Sequence, residues 1–241
     1  MAWKLLLINA LTLIRVIGTI ILIPIYKSYG GLYVSILALI CYLTDSIDGI
    51  LARRWKVSTF FGALFDGAAD KLFTIINFVV LYLITPHALI PIIFEIAIIV
   101  VLFFKFIMKL NVKSNIIGKL KVWILAMSVV LTFLVSDIKS IAFVPLKFKE
   151  WLLNISSSTL YFWLLLPTIL IEFLTFSSYV LELFAPKKIK ILNTPDKVLK
   201  IPELKGKSIW GKFKCIWLNP EFYNEHKNDT NLKALWKLSI R

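Results

Sequence analysis

The stretch DSIDGILARRWKVSTFFGALFDGAAD, residues 45–70, places four aspartates in a chain that is otherwise strongly apolar. Asp45 and Asp48 are three residues apart, and Asp66 and Asp70 are four apart. Residues at these spacings lie on one face of an α-helix. A short basic segment separates the two pairs, so two antiparallel helices would bring all four carboxylates together at one end of a helical hairpin.

The composition favours a membrane protein with basic loops. The chain has 241 residues, of which 59% are hydrophobic, whereas a soluble globular domain is usually about 45–50% apolar. This excess excludes a disordered chain, a collagen-like repeat and a polar secreted scaffold. Lys and Arg number 28 against 14 Asp and Glu, which gives a formal net charge of +14. A nucleic-acid-binding protein would carry that charge on a much less apolar background, so we expect no nucleic-acid partner.

Six segments are apolar over roughly the 20 residues that a transmembrane helix needs. We therefore predict an all-α, polytopic membrane protein with six transmembrane helices. The predicted spans are about residues 10–28, 31–53, 59–84, 88–108, 119–136 and 158–184.

The predicted spans belong to one membrane domain over residues 1–184, which begins with a short interfacial helix at about residues 1–8. Residues 185–241 form a basic tail with interleaved aromatic residues, a mixture typical of segments on an anionic membrane surface. The two cysteines, Cys41 and Cys215, form no disulfide framework.

Basic residues set the predicted orientation, because cytoplasmic loops of membrane proteins carry an excess of Lys and Arg. With six spans, the two termini share one side with the second and fourth loops. Before the tail, that side carries Lys4, Arg53, Arg54, Lys56, Lys105, Lys109, Lys113, Lys119 and Lys121, and the other side carries Lys27, Lys139, Lys147 and Lys149. The termini and the aspartates are therefore predicted to lie at the cytoplasmic face of the cell membrane.

Carboxylates at membrane depth are costly and mark candidate functional sites. Four of them together repel one another and cannot all ionise unaided. Protonation, basic partners such as Arg53, Arg54 and Lys71, or bound divalent cations would relieve the repulsion, and cations are the simplest solution. Ligands that are all oxygen favour a hard ion such as Mg²⁺, with Mn²⁺ or Ca²⁺ as alternatives. Mg²⁺ held by few carboxylates keeps positions that phosphate oxygens commonly fill.

Eight residues of this stretch resemble, at every gap, the signature of the CDP-alcohol phosphatidyltransferases. They are Asp45, Asp48, Gly49, Ala52, Arg53, Gly62, Asp66 and Asp70. The resemblance extends over roughly residues 5–184 and implies six membrane helices and a homodimer. It also implies a reaction in which a CDP-linked lipid, usually CDP-diacylglycerol, donates its phosphatidyl group to a small alcohol or alcohol phosphate, and CMP leaves.

The resemblance further implies a role for each signature residue. The four aspartates would bind two divalent ions, Mg²⁺ or Mn²⁺, beside the diphosphate. Asp70 would also act as the general base that takes the proton of the acceptor hydroxyl. Gly49, Ala52 and Gly62 would leave room for the cytidine nucleotide, and Arg53 would contact its phosphate.

Two other segments are similar to phosphatidylglycerophosphate synthases within this family. INALTLIR matches their N-x-L-T-L-x-R start, which implies that Asn9 and Thr12 lie at the nucleotide and Arg15 at the acceptor. The sequence GKLK resembles their G-K-x-K motif, which implies that Lys119 and Lys121 bind a phosphorylated acceptor such as glycerol 3-phosphate. The alternative is structural: Asn9 caps a helix, Arg15 extends to the interface, and the lysines set topology.

Two departures from those synthases leave the acceptor open. Gly67 follows Asp66 where they usually have proline, and Phe94 precedes Glu95 where they usually have arginine. The alternative acceptors are phosphatidylglycerol, inositol phosphate and serine. Transfer to phosphatidylglycerol would yield cardiolipin. A transporter with a cation pathway or an inactive scaffold are alternatives of another class. The clustering of the acids at one face and the complete signature favour the enzyme.

Overall fold

The computed structural model describes residues 2–108, 116–142, 144–184, 208–226, 235–236 and 239, and the structural statements below concern these residues. They form α-helices and two short 3₁₀ turns, and this part of the chain contains no strand, which confirms the predicted all-α class. The α-helices are α1 (Ala2–Tyr29), α2 (Gly31–Trp55), α3 (Phe60–Tyr82), α4 (Leu89–Ile107), α5 (Ile116–Ser136), α6 (Leu146–Asn154), α7 (Ser157–Phe184), α8 (Ile209–Trp217) and α9 (Pro220–His226).

In the described part of the chain, four helical segments are long and apolar enough to cross a membrane. They are Leu6–Tyr29, Gly31–Trp55, Pro86–Lys105 and Ser157–Phe184. The other two predicted spans correspond to α3, whose first half carries Asp66, Asp70 and Lys71, and to α5, whose apolar part Leu120–Ser136 is shorter. These two spans and the side of the membrane on which the termini lie stay predictions.

The N-terminal residues differ from the separate short helix expected at 1–8. They form the first turns of α1, which runs without a break from Ala2 to Tyr29. No glycine or proline lies before Gly18 to end a helix there. Asn9 is therefore inside α1 and does not cap it. A position of these turns at the membrane interface stays a prediction.

The turn between α1 and α2 forms a tight hairpin. Gly30 has a φ of 84°, in the left-handed region that favours glycine. The next residue, Gly31, allows close packing against α5, because a Cβ atom there would lie 2.5 Å from the carbonyl oxygen of Phe133. Asp137, just after α5, accepts a hydrogen bond from the Leu32 amide at 3.3 Å. These contacts fix the end of the molecule opposite the aspartates.

The turn between α2 and α3 is equally short and is capped on both sides. Lys56 ends α2 with a φ of 54°, and its amide donates to the carbonyl oxygens of Ala52 and Arg53. Thr59 precedes α3, and its hydroxyl accepts a hydrogen bond from the Gly62 amide at 3.0 Å. A side-chain oxygen in this position satisfies an amide that the helix itself leaves unpaired. The two helices therefore run antiparallel, as the spacing of the aspartates predicts.

The main apolar core lies between α1, α2, α3, α5 and α7. Leu22, Val34, Phe78, Val129 and Leu165 are fully buried in it. Near the aspartates, the core ends with Tyr42 and Phe73, whose ring centroids are 4.9 Å apart. The packed core thus holds together the helices that carry the carboxylates.

The described part of the tail is not separate from the membrane domain. Helices α8 and α9 pack against Phe60, the first residue of α3, with Ile216, Trp217 and Phe222 buried in this contact. Residues 185–207, 227–234, 237–238 and 240–241 lie outside the described residues. The predicted docking of the tail on the membrane surface is untested.

Candidate active site

Three of the four predicted metal ligands form one carboxylate cluster. Asp45, Asp48 and Asp66 each offer an oxygen atom, and these atoms lie within 4.8 Å of one another. Two oxygens on opposite sides of a Mg²⁺ ion are about 4.2 Å apart, from bonds of about 2.1 Å. The donor set is made of carboxylates alone, and the upper limit on its oxygen–oxygen distances is close to this value. It therefore fits a hard divalent cation.

Arg15 of α1 is the cationic partner of this cluster. Its side chain is fully buried, with Nη2 2.5 Å from Oδ1 of Asp45 and 2.8 Å from Oδ2 of Asp48, and Nη1 2.9 Å from Oδ1 of Asp66. One guanidinium against three ionised carboxylates leaves two negative charges, which is the charge that one divalent cation would balance. Acceptor binding by Arg15 stays a prediction, but both of its terminal nitrogens contact the aspartates.

Asp70 lies one helical turn beyond Asp66 on α3 and does not belong to the three-carboxylate cluster. The next residue, Lys71, contacts another helix, because its Nζ atom is 2.5 Å from Oε1 of Glu95 on α4. The roles of Asp70 as a fourth ligand and as a general base stay predictions.

A cavity of about 270 Å³ adjoins the carboxylate cluster. The six residues that the resemblance implies for nucleotide binding all line it, together with Asp48 and Asp66 of the cluster. These six are Asn9, Thr12, Gly49, Ala52, Arg53 and Gly62. Residues from α1, α2 and α3, far apart in the sequence, thus meet around a single space beside the candidate cation site.

Two glycines line the cavity, and the structure gives a different reason for glycine at each position. A Cβ atom on Gly49 would meet only the guanidinium nitrogens of Arg53, at 3.8 and 3.9 Å, so a side chain there would enter the cavity. A Cβ atom on Gly62 would lie 2.9 Å from the Thr59 hydroxyl that caps α3. Gly49 is therefore a position where space is open to a ligand, and Gly62 is needed for the cap.

Lys121, expected to bind the acceptor, belongs to a buried network of four charged residues. Its ammonium pairs with Glu95 and lies 3.1 Å from Oε2 of Glu172 on α7. Lys71 pairs with the other oxygen of Glu95, and both glutamates are fully buried. The network holds two positive and two negative groups. The side chain of Lys119 lies outside the part of the chain that the structure describes.

Among the cavity residues that sequence reasoning missed, Tyr223 of α9 lies outside the membrane helices. It lies far along the chain from the signature, in the tail that the family resemblance does not cover. The neighbouring Asn224 donates a hydrogen bond from Nδ2 to the carbonyl oxygen of Lys56, at 2.8 Å. The tail sequence shows interleaved aromatic residues, but nothing in it indicates which of them reaches the cavity.

Comparisons with known proteins agree with the signature. A family model described as CDP-alcohol phosphatidyltransferase matches residues 5–175. A CDP-diacylglycerol–glycerol-3-phosphate 3-phosphatidyltransferase from Salmonella choleraesuis (strain SC-B67) is 39% identical over 80 residues, which cover 32% of this chain and 42% of that protein. A protein of the same name from Escherichia coli (strain K12) is 38% identical over 84 residues, with the same coverage. The chain thus spans less than half the length of these curated relatives.

Proposed function

The chain belongs to the CDP-alcohol phosphatidyltransferase family, and from this premise we propose that it transfers a phosphatidyl group from CDP-diacylglycerol to an alcohol and releases CMP. The observation that carries the proposal is the contact between two features, a carboxylate cluster suited to a divalent cation and a cavity lined by the signature residues. A donor diphosphate between them would place its phosphates at the carboxylates and its nucleoside in the cavity.

In this proposal Asp45, Asp48 and Asp66 hold Mg²⁺ or Mn²⁺, with Asp70 as a further ligand in a two-ion site. A bound divalent cation supplies charge neutralisation at the diphosphate, which is the main requirement of phosphoryl transfer. Arg15 is a positioning residue, since it holds three carboxylates in one place before the cation binds.

The chain's own residues then bind the donor and move one proton. Arg53 contacts the phosphate of CMP, while Gly49 and Ala52 leave room for the nucleoside. The acceptor hydroxyl oxygen attacks the phosphorus of the phosphatidyl group, and the bond from that phosphorus to the CMP oxygen breaks. Asp70 accepts the hydroxyl proton, and CMP leaves with the bonding electron pair.

Glycerol 3-phosphate is the first candidate acceptor, because two curated relatives carry it in their names. An alcohol without a phosphate monoester, such as phosphatidylglycerol, is the second candidate. The buried charge network favours it, since Glu95 and Glu172 already balance Lys71 and Lys121. Phe94 adds no cation where the related synthases usually have one.

The proposal includes a setting for this chemistry. We infer six membrane spans, a homodimer and a site at the cytoplasmic face, supported by the excess of basic residues at the end where α2 meets α3.

Purified protein supplied with CDP-diacylglycerol, Mg²⁺ or Mn²⁺ and a panel of alcohols tests the function. CMP release with one acceptor, and the matching new phospholipid by mass spectrometry, is the expected result. Asp45→Asn should abolish release, whereas Glu150→Gln, on the exposed surface of α6, should leave it unchanged. Absence of CMP release with every acceptor would reject the proposal.

A further inference from the structure

The C-terminal helices α8 and α9 lie against the turn that forms one wall of the cavity. The Phe60 side chain is 6% exposed, and its ring centroid is 4.9 Å from that of Tyr223 and 6.2 Å from that of Phe222. Ile216 and Trp217 of α8 complete the apolar contact. Because Phe60 is the first residue of α3, this packing places α9 directly beside the start of the helix that carries Asp66.

A hydrogen bond joins α9 to the same turn. Nδ2 of Asn224 donates to the carbonyl oxygen of Lys56 at 2.8 Å. Lys56 is the left-handed residue that ends α2, and the residues after it, Val57 to Thr59, line the cavity. The position of α9 is thus tied to the cavity wall by apolar packing and by a polar contact.

The two helices have their own local caps. The Ser208 hydroxyl accepts a hydrogen bond from the Gly211 amide at 3.2 Å, and Oδ1 of Asn219 accepts one from the Glu221 amide at 3.0 Å. Capped helix ends of this kind stabilise short helices. The segment from Ser208 to His226 is therefore a capped helix pair in contact with the turn between α2 and α3.

Tyr223 is the residue of this segment that lines the cavity, together with Asp48, Arg53 and Gly62. Burial raises the pKa of the Tyr223 phenol above its usual value. An aromatic side chain on the wall of this cavity suits a nucleobase, since aromatic side chains stack on every base.

We propose that Tyr223 binds the pyrimidine base of the CDP-linked donor, so that the segment 208–226 is a wall of the active site. The inference rests on the proposed function and deepens it. Arg53 and the carboxylates mark the phosphate end of the cavity. Tyr223 lies on its wall beyond the family match, which ends at residue 175. The tail of this chain thus completes a nucleotide site that the membrane helices begin.

Binding of CMP to the full chain, measured by calorimetry in detergent with Mg²⁺, tests the inference without turnover. Tyr223→Ala should raise the Kd of CMP about tenfold, the order expected for loss of one base-stacking contact. It should raise the KM of CDP-diacylglycerol similarly, with the KM of the acceptor unchanged. Tyr223→Phe keeps the ring and should bind CMP within a few-fold of the original protein.

Trp210→Ala is the matched control, because Trp210 is an aromatic residue of the same segment, 70% exposed and outside the cavity lining. It should bind CMP normally. Unchanged CMP binding by Tyr223→Ala, or a change confined to the acceptor KM, would overturn the inference. An equal loss of CMP binding in Trp210→Ala would also overturn it, because the segment would then act only as an anchor.

Hydrogen exchange keeps the inference testable if Tyr223→Ala fails to fold. In the unsubstituted chain, CMP with Mg²⁺ should slow amide exchange in residues 221–226, and unchanged exchange would overturn the inference. A chain that binds CMP at Tyr223 but releases none from CDP-diacylglycerol would contradict the proposed function alone. A chain that turns over normally with no role for Tyr223 would contradict this inference alone.

Discussion

At the scale of single residues, the site depends on where side chains are missing as well as on where charges lie. Gly49 occupies a helix interior, where glycine is disfavoured by about 1 kcal/mol relative to alanine. A Cβ atom there would enter the cavity and meet only Arg53. Asp48, next to it, lies in both the carboxylate cluster and the cavity lining. The local helix is thus weakened at a position where a ligand would need the space.

Gly49→Ala should separate stability from binding. We expect the free energy of unfolding to stay unchanged or to rise by up to about 1 kcal/mol, because the new methyl group meets no backbone. The KM of CDP-diacylglycerol should rise about tenfold, or roughly 1.4 kcal/mol of lost binding. Gly67→Ala is the control, since a Cβ atom on Gly67 meets nothing within 4 Å. A normal KM in Gly49→Ala would contradict this assignment.

Arg15→Met should make the protein depend more strongly on a divalent cation. Removing one partner of a buried charge group destabilises a protein by about 3–5 kcal/mol, because Asp45, Asp48 and Asp66 would lose their shared guanidinium. A cation that binds the folded state restores stability by mass action. Thermal unfolding with and without Mn²⁺ should show a larger upward shift for Arg15→Met than for the original chain. Equal shifts would contradict the shared site.

Asp70→Asn tests the division of roles among the aspartates. Asp70 is the proposed base, so its replacement should lower kcat at least about 100-fold, which is the lower range for a general base. The CMP Kd should change less than in Asp45→Asn, because Asp70 lies outside the three-carboxylate cluster. Turnover near the normal rate would reject the base assignment, and calorimetry with single-turnover kinetics measures the two quantities.

At the scale of helices, the short capped turn between α2 and α3 decides the site. It brings Asp45 and Asp48 of α2 next to Asp66 of α3, and Arg15 of α1 pairs with all three carboxylates. A second meeting point, deeper in the bundle, joins α3, α4, α5 and α7 through Lys71, Glu95, Lys121 and Glu172. The acceptor specificity is expected to depend on the charge balance of this network.

Glu172→Gln should reveal whether the acceptor carries a phosphate monoester. The network would gain one net positive charge, and a glycerol 3-phosphate KM should fall several-fold, since each 1.4 kcal/mol of added attraction is tenfold. The KM of phosphatidylglycerol should change little. Glu182→Gln is the control, because it removes an α7 carboxylate whose partner is Lys105. An unchanged KM for glycerol 3-phosphate would show that the network does not take part in acceptor binding.

At the scale of the whole molecule, the C-terminal segment joins the end of the bundle at which the aspartates lie. Cysteine labelling can therefore measure the orientation of the protein. The chain has two cysteines, of which Cys41 is buried and Cys215 of α8, in the C-terminal segment, is half-buried. The tail, the cavity and the first turns of α1 should therefore all face the same compartment.

A membrane-impermeant maleimide should label Cys215 only after cells are permeabilised, because the tail is proposed to be cytoplasmic. Cys215→Ser should remove this labelling. Lys147→Cys, on the exposed α6 at the opposite end, should be labelled in intact cells. Labelling of Cys215 in intact cells would reverse the proposed orientation, and gel mobility after labelling measures it.

The sequence by itself determined the all-helical class and the pairing of aspartates on two antiparallel helices, because helical periodicity and apolar length are local properties. It also pointed to six of the residues that line the cavity, through two segments that resemble a known family. Residues 1–8 were expected to form a separate helix but continue into α1, since nothing local marks whether a short apolar start is separate from the helix that follows.

Only the tertiary structure decided which groups share a site across long distances in the chain. Arg15 meets the aspartates, Lys121 meets two glutamates, and Tyr223 reaches a cavity built by residues more than a hundred positions earlier. These contacts depend on how whole helices pack, and packing is set by the sum of many weak apolar contacts. No spacing rule within one segment contains that information. The chemistry of the carboxylates, in contrast, follows from the identity of four aspartates in the sequence.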